Sequence, residues 1–149
     1  MKNFYQEGPF GPIYPQFERK PKQAIKHLLK VKKGECSNAL FREDIGYIDI
    51  VWGENEPETN RGFGLKHIYE KHGNSIKAMG FEIEDFIPIV VQFGELTLTK
   101  TGEEYLLESN YFRVVVERKA FGLDKQWILT AFDISKNPHH KNNDVGYSD

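Results

Sequence analysis

The periodicity of apolar residues changes along this chain, and that change constrains the fold more than any other feature. Apolar residues recur three and four apart in three stretches between residues 21 and 93, which predicts helices. In the first, Ala24, Ile25, Leu28 and Leu29 form the stripe, Pro21 suits the opening turn and Gly34 the left-handed cap. The second runs from Arg61 to Gly73, with Leu65, Ile68 and His72 on one face and Gly73 as its stop. The third covers residues 82 to 93, where Ile83, Phe86, Ile87, Val90 and Val91 are spaced helically and Pro88 marks a kink. Between the first two, Ala39 to Phe41 and Gly46 to Trp52 read as strands paired around Glu43-Asp44, and the polar, Pro57-containing stretch Gly53 to Asn60 reads as a loop. Downstream, Glu95 to Thr99, Glu104 to Glu108, Tyr111 to Arg118 and Gln126 to Phe132 are short strands separated by Thr101-Gly102, Ser109-Asn110 and Gly122. N-terminal helices followed by an antiparallel β-sheet meander predict an α+β fold.

At 149 residues the chain has room for one core, and 39% hydrophobic residues with 11 Phe, 7 Tyr and 2 Trp exclude disorder throughout. The longest apolar run, Phe86 to Val91, falls well short of the ~20 residues that span a bilayer. Met1-Lys2-Asn3 opens onto no signal-peptide segment, so a soluble domain without a secretion signal of its own is expected. A lone Cys36 excludes an internal disulfide and a cysteine-based zinc site. Residues 1–19, punctuated by Gly8, Pro9, Gly11, Pro12 and Pro15, read as an extended lead-in arm, residues 20–136 as the domain, and residues 137–149 as a flexible tail. His139-His140 in that tail is too weak a signal to assign a metal.

A net charge of −2 argues against a general polyanion binder, yet residues 1–40 carry +5 and the remainder −7. The basic run Arg19, Lys20, Lys22, Lys26, Lys30, Lys32, Lys33 is either a phosphate-attracting face or a solvated helix surface. The acidic block Glu43, Asp44, Asp49, Glu54, Glu56, Glu58 either repels RNA or receives a basic partner.

His67 and His72 are the first candidates for chemistry, because imidazole changes protonation near neutral pH. Five residues apart on an α-helix, they lie about 140° apart, which disfavours a shared metal and leaves one ring on a cleft and the other toward core or solvent. Periodicity gives His72 to the packed face and turns His67 outward. Arg61, Arg113, Arg118 and Lys119 are cations able to neutralise phosphoryl oxygens, with a cross-strand ion pair as the competing role for Arg113. Thr130 alternates with Ile128 and Phe132, so it is either an inward-facing strand threonine or a hydrogen-bond donor. Trp127 and Tyr111 either stack on a base or fill the core. Asp49 reads as a structural acceptor. No paired carboxylates at suggestive spacing, phosphate-cradling glycine motif or serine elbow is present.

Four segments occur together in one order: Asp44-Ile45-Gly46-Tyr47-Ile48-Asp49-Ile50-Val51-Trp52-Gly53, Gly62-Phe63-Gly64-Leu65-Lys66-His67-Ile68-Tyr69-Glu70-Lys71-His72, the strand Arg113 to Arg118, and Trp127 to Phe132. Over residues 20 to 136 this chain resembles the phage-associated branch of the barnase/EndoU/colicin/RelE-like (BECR) ribonucleases. Those domains form the C-termini of phage head-associated, polymorphic and contact-dependent-inhibition toxins. Tyr47 departs from the pattern, which has a small or acidic residue there.

The resemblance implies a metal-independent endoribonuclease without cofactor, acting on RNA, with tRNA the expected substrate. It also implies delivery into the cytoplasm of a rival bacterium as part of a larger secreted or phage-associated protein. Neutralisation by a cognate immunity protein is expected, and a target-cell cofactor protein is a further conceivable partner; no membrane is involved. Carried over by motif, His67 and His72 supply proton transfer, Arg113 or Arg118 the phosphate clamp and Thr130 a donor to the scissile phosphate. Arg61, Lys66, Lys71, Lys119 and Trp127 are the expected RNA contacts. The competing class is a non-catalytic RNA- or protein-binding module retaining the same fold.

Overall fold

The computed structural model describes residues 6–59 and 61–134. The expected tail, with His139 and His140, lies outside the described residues. The lead-in arm folds back on itself: two-residue strands β1 (Glu7–Gly8) and β2 (Gly11–Pro12) pair antiparallel, and a single tight helical turn follows at Pro15–Phe17. Helix α1 (Pro21–Val31) starts on its proline and buries Ala24, Ile25 and Leu28, but it is Lys32, at φ 58°, rather than Gly34 that first turns left-handed and ends it.

Strands β3 (Glu35–Arg42) and β4 (Gly46–Val51) form the hairpin expected around Glu43-Asp44. The stretch read as a loop is instead a second small hairpin, β5 (Glu54–Glu56) with β6 (Arg61–Phe63), so the helix expected to begin at Arg61 begins at Gly64. Gly64, at φ +80°, is where this hairpin hands over to helix. A Cβ there would lie 2.7 Å from the Trp52 carbonyl, so only glycine lets the chain pass so close to β4.

The helical segment is α2 (Gly64–His67), a π-helical turn at Ile68–His72, and α3 (Gly73–Ala78). Gly73 does not stop it; its backbone is ordinary right-handed helix (φ −60°, ψ −40°), and the left-handed residue that follows the segment is Gly80, at φ +88°. Helix α4 (Ile83–Phe93) runs on through Pro88.

Strands β7 (Glu95–Leu98), β8 (Glu104–Glu108), β9 (Phe112–Ala120) and β10 (Leu123–Asp133) follow as antiparallel neighbours. One six-stranded sheet results, in the order β3-β4-β10-β9-β8-β7. It is mixed, because β10 lies parallel to β4 with Trp127 opposite Asp49. One face closes the main core: Leu107, Val114, Val116, Ile128 and Ala131 join Ile25, Leu28, Phe86 and Ile87 of α1 and α4. Each such aliphatic side chain contributes about 1.5–3 kcal/mol on burial.

The parallel seam is held by side chains. The β9–β10 register slips between Asp124 and Trp127, which frees Lys125 and Gln126 to reach across. The Gln126 amide donates to the carbonyls of Ile45 and Tyr47, both at 2.9 Å, and the Lys125 ammonium donates to Glu35 and Asp49, both at 2.5 Å. Asp49 also accepts the Asn38 N–H at 2.6 Å, within the irregular stretch of β3, so it is a structural acceptor. Burial lifts the fully covered Glu35 carboxyl above its usual range despite the lysine, whereas the two carboxylates together outweigh the burial of Lys125 and raise its pKa.

Candidate active site

The helical segment lies along β10. The Phe63 ring at its start sits 5.7 Å from Trp127 and the His72 ring at its middle 5.6 Å from Phe132, so Thr130 falls between the two anchor points. Register decides which way Thr130 faces. Trp127 opposes Glu117, Ile128 opposes Val116, Thr130 opposes Val115 and Phe132 opposes Arg113, leaving Leu129 as a bulge. The extra residue reverses the alternation, so Ile128 enters the main core while Thr130 joins Phe132, Arg113 and Glu117 on the opposite face.

The two histidines meet beside Phe132 of this face. Their ring centroids are 5.6 Å apart and nearly perpendicular, at 80°. The 140° separation expected of an α-helix does not apply, because the turn between them is π-helical, and i→i+5 hydrogen bonding widens the turn and brings residues five apart toward one side. The expectation of exposure is also corrected: His67 is buried, with 2% of its surface accessible, and His72 is half-buried. His67 Nδ1 lies 2.8 Å from Asn55 Oδ1 in β5, and the Asn55 amide donates to Glu70 Oε1 at 3.1 Å. Burial first, then Lys71, holds the His67 ring below the usual imidazole range. Burial pushes His72 further, to about 4, with His67 and Lys71 adding and Asp133 opposing. Both rings are therefore neutral at neutral pH. His72 Nε2 and Thr130 Oγ1 are buried without a hydrogen-bond partner among the described residues.

The two arginine candidates separate. Arg113 shares the face with Thr130, its guanidinium ion-paired to Glu108 on β8 and centred 5.8 Å from the Phe132 ring. Arg118 has the opposite parity on β9; it donates to the Gly102 carbonyl at 2.8 Å and covers Tyr105, so it is not part of the histidine cluster. Of the expected RNA contacts, Arg61 is exposed on β6 and Lys71 on the π-helical turn. Lys119 is exposed but paired to Asp124 at 2.6 Å. Trp127 is 7% accessible, roofed by Phe10 and Phe63 and tied through Nε1 to the Lys119 carbonyl, so it fills a core rather than offering a face to a base. Tyr111 is exposed.

Lys66, Lys32 and Lys33 line a groove of about 490 Å³ with Phe10, Trp52 and Phe63, which gathers the end of the N-terminal basic run beside the helical segment. Elsewhere in that run Lys22 pairs with Asp85 and Arg19 lies over Phe41.

A carboxylate pair also emerges that the linear sequence conceals. Glu117 and Glu104 stand directly opposite on β9 and β8, on the face that carries Thr130. Burial, then Glu104 and Glu103, push Glu117 up to about 7. Thirteen residues separate the two in the chain, and only register reveals them. Asn55 was hidden in the same way, as one polar residue in a stretch without period. Among the described residues no three His, Cys, Asp or Glu side chains are grouped as metal ligands.

The family model for phage-Barnase-EndoU-ColicinE5/D-RelE like nuclease 1 matches residues 39–138, a span that holds both histidines, Arg113 and Thr130, and the chain belongs to that family. It is a BECR-type nuclease domain. No curated protein and no solved structure matches the chain.

Proposed function

We propose that this domain is a metal-independent endoribonuclease, with tRNA as its substrate, that cleaves by attack of the ribose 2′-hydroxyl on the adjacent phosphate. The observation that carries this reading is the perpendicular His67–His72 pair, with the unpartnered His72 Nε2 beside a strand that carries the unpartnered Thr130 hydroxyl. A buried polar atom without a partner is a cost to folding, and a ligand that supplies the partner repays it.

In the proposed reaction the neutral His67 ring takes the proton of the 2′-hydroxyl as the 2′-oxygen bonds to phosphorus. The bond from phosphorus to the 5′-oxygen breaks, and His72, which takes up a proton from solvent when the phosphodiester binds, delivers that proton to the leaving oxygen while His67 later returns its own to solvent. A bound phosphodiester favours the charged imidazole, so the substrate itself raises the proton affinity that burial had lowered. Thr130 Oγ donates to a phosphoryl oxygen and Arg113 neutralises the developing charge. The products are a 2′,3′-cyclic phosphate and a 5′-hydroxyl.

Delivery into a competing bacterium as the C-terminal part of a larger protein, with a cognate immunity protein to neutralise it, is the setting proposed from the family resemblance. The test is incubation of the purified domain with total bacterial tRNA in EDTA, beside His67→Ala. Discrete fragments that vanish in the variant are expected. Intact tRNA with the wild-type protein, or cleavage only when a divalent metal is added, would overturn the reading.

A further inference from the structure

We infer that Asn55 is the positioning residue for His67, fixing which ring nitrogen carries the proton, and that Glu70 in turn orients Asn55. The inference rests on the proposed role of His67 as proton acceptor, and it follows from hydrogen-bond polarity. An ionised carboxylate can only accept, so the group that Asn55 presents to Glu70 Oε1, at 3.1 Å, is its NH₂. The other end of the amide, Oδ1, then faces His67 Nδ1 at 2.8 Å. A carbonyl oxygen also only accepts, so Nδ1 must bear the hydrogen and Nε2 keeps its lone pair. The nitrogen left to take a proton from substrate is thereby chosen by a side chain twelve residues upstream, anchored on the β5–β6 hairpin.

A second observation bears on the same contact. Gly62 lies opposite Asn55 in the hairpin, and a Cβ there would sit 2.5 Å from His67 Nδ1 and 2.8 Å from Asn55 Oδ1. The backbone of Gly62 is not left-handed, so the glycine is required for space alone, and the space it leaves is shared by this hydrogen bond and the Glu54 carbonyl, 2.7 Å from the same point. The first glycine of the Gly62-Phe63-Gly64-Leu65-Lys66-His67 segment thus has a physical task. Glu70 belongs to the π-helical turn, so the winding that brings the histidines together also carries the residue that orients Asn55.

The test reads the tautomer directly, by long-range ¹H–¹⁵N NMR of the histidine rings in the intact protein. The wild-type His67 ring is expected to show its proton on Nδ1. Asn55→Ala should move the ring toward the Nε2–H form and lower the cleavage rate by about 10²-fold. The double variant Asn55→Asp/Glu70→Gln reverses the donor at one bond and keeps the acceptor at the other. It should restore the Nδ1–H form and most of the rate, which guards against a variant that merely loosens the fold. A wild-type ring protonated on Nε2, or an Nδ1–H signal unchanged in Asn55→Ala, would overturn the inference whatever the activity. Full activity in His67→Ala would instead overturn the proposed role of His67 and leave the tautomer assignment to be scored on its own.

Discussion

A hydroxyl buried without a partner costs a folded protein about 1–3 kcal/mol, and Thr130 carries one at 5% accessibility. Thr130→Val keeps the shape and removes the cost, so it should raise thermal stability by about 1 kcal/mol while lowering tRNA cleavage by about 10²-fold. A melt and an initial rate on the same sample check both signs; a less stable variant would show that the hydroxyl has a structural partner, and a fully active one that it takes no part in cleavage. His72 makes the corresponding statement about pH. Its ring titrates near 4 in the fold against 6.5 ordinarily, so between those values the unfolded chain takes up a proton that the folded one refuses. Stability from the neutral ring is complete above about pH 6.5 and is lost as pH falls toward about 4. Glu117 has the opposite sign, because its carboxyl, raised to about 7, holds a proton in the fold that the unfolded chain releases, and this adds stability as pH falls below 7. The quantity to measure is therefore the difference in melting temperature between wild type and His72→Asn, which should move against the wild type from pH 7 to pH 4 as the Glu117 contribution cancels.

Two irregular elements, the bulge at Leu129 and the π-helical turn at Ile68–His72, make the site, and both insert what periodicity cannot encode. Apolar spacing was enough to place α1, α4, the β3–β4 hairpin and the last four strands, because each buries one continuous stripe or face. It misled at His67 and His72, since a 3.6-residue period assumes that the helix stays α-helical, and at Thr130, since alternation assumes that no residue is extra. Arg61 to Phe63 was misread as helix for a different reason: its partner β5 is polar and leaves no hydrophobic trace in the sequence. The Lys125–Glu35–Asp49 joint is likewise a contact across distant segments, although Asp49 itself was legible as an acceptor. Removing its lone cation leaves two buried carboxylates facing each other. Lys125→Met should accordingly destabilise the fold by about 3–5 kcal/mol, measured by urea unfolding, and Glu35→Gln by much less, because burial already draws Glu35 toward its protonated form.

At the scale of the whole molecule, one sheet serves two purposes with its two faces. Leu107, Val114, Val116, Ile128 and Ala131 close the core against α1 and α4, where Leu65, Ile68 and Ile76 of the histidine-bearing segment join them, and the other face carries Arg113, Thr130, Glu117 and Phe132, with the His72 ring 5.6 Å from Phe132. The family match begins at residue 39, yet α1 precedes it and places Ala24, Ile25 and Leu28 in the same core, so the folded unit extends upstream of the matched span. The nuclease identity and the α+β class were legible from four motifs in order; the spatial convergence of the site was not, because it depends on register and on helical winding. The chemistry claimed for that convergence leaves a signature on the RNA itself. The most direct measurement is the end-group analysis of the fragments released from tRNA in EDTA. The account predicts 2′,3′-cyclic phosphate and 5′-hydroxyl ends, because the nucleophile belongs to the substrate and the protein only moves protons and neutralises charge. Fragments bearing 5′-phosphate and 3′-hydroxyl ends would mean that water is the nucleophile, and would contradict it.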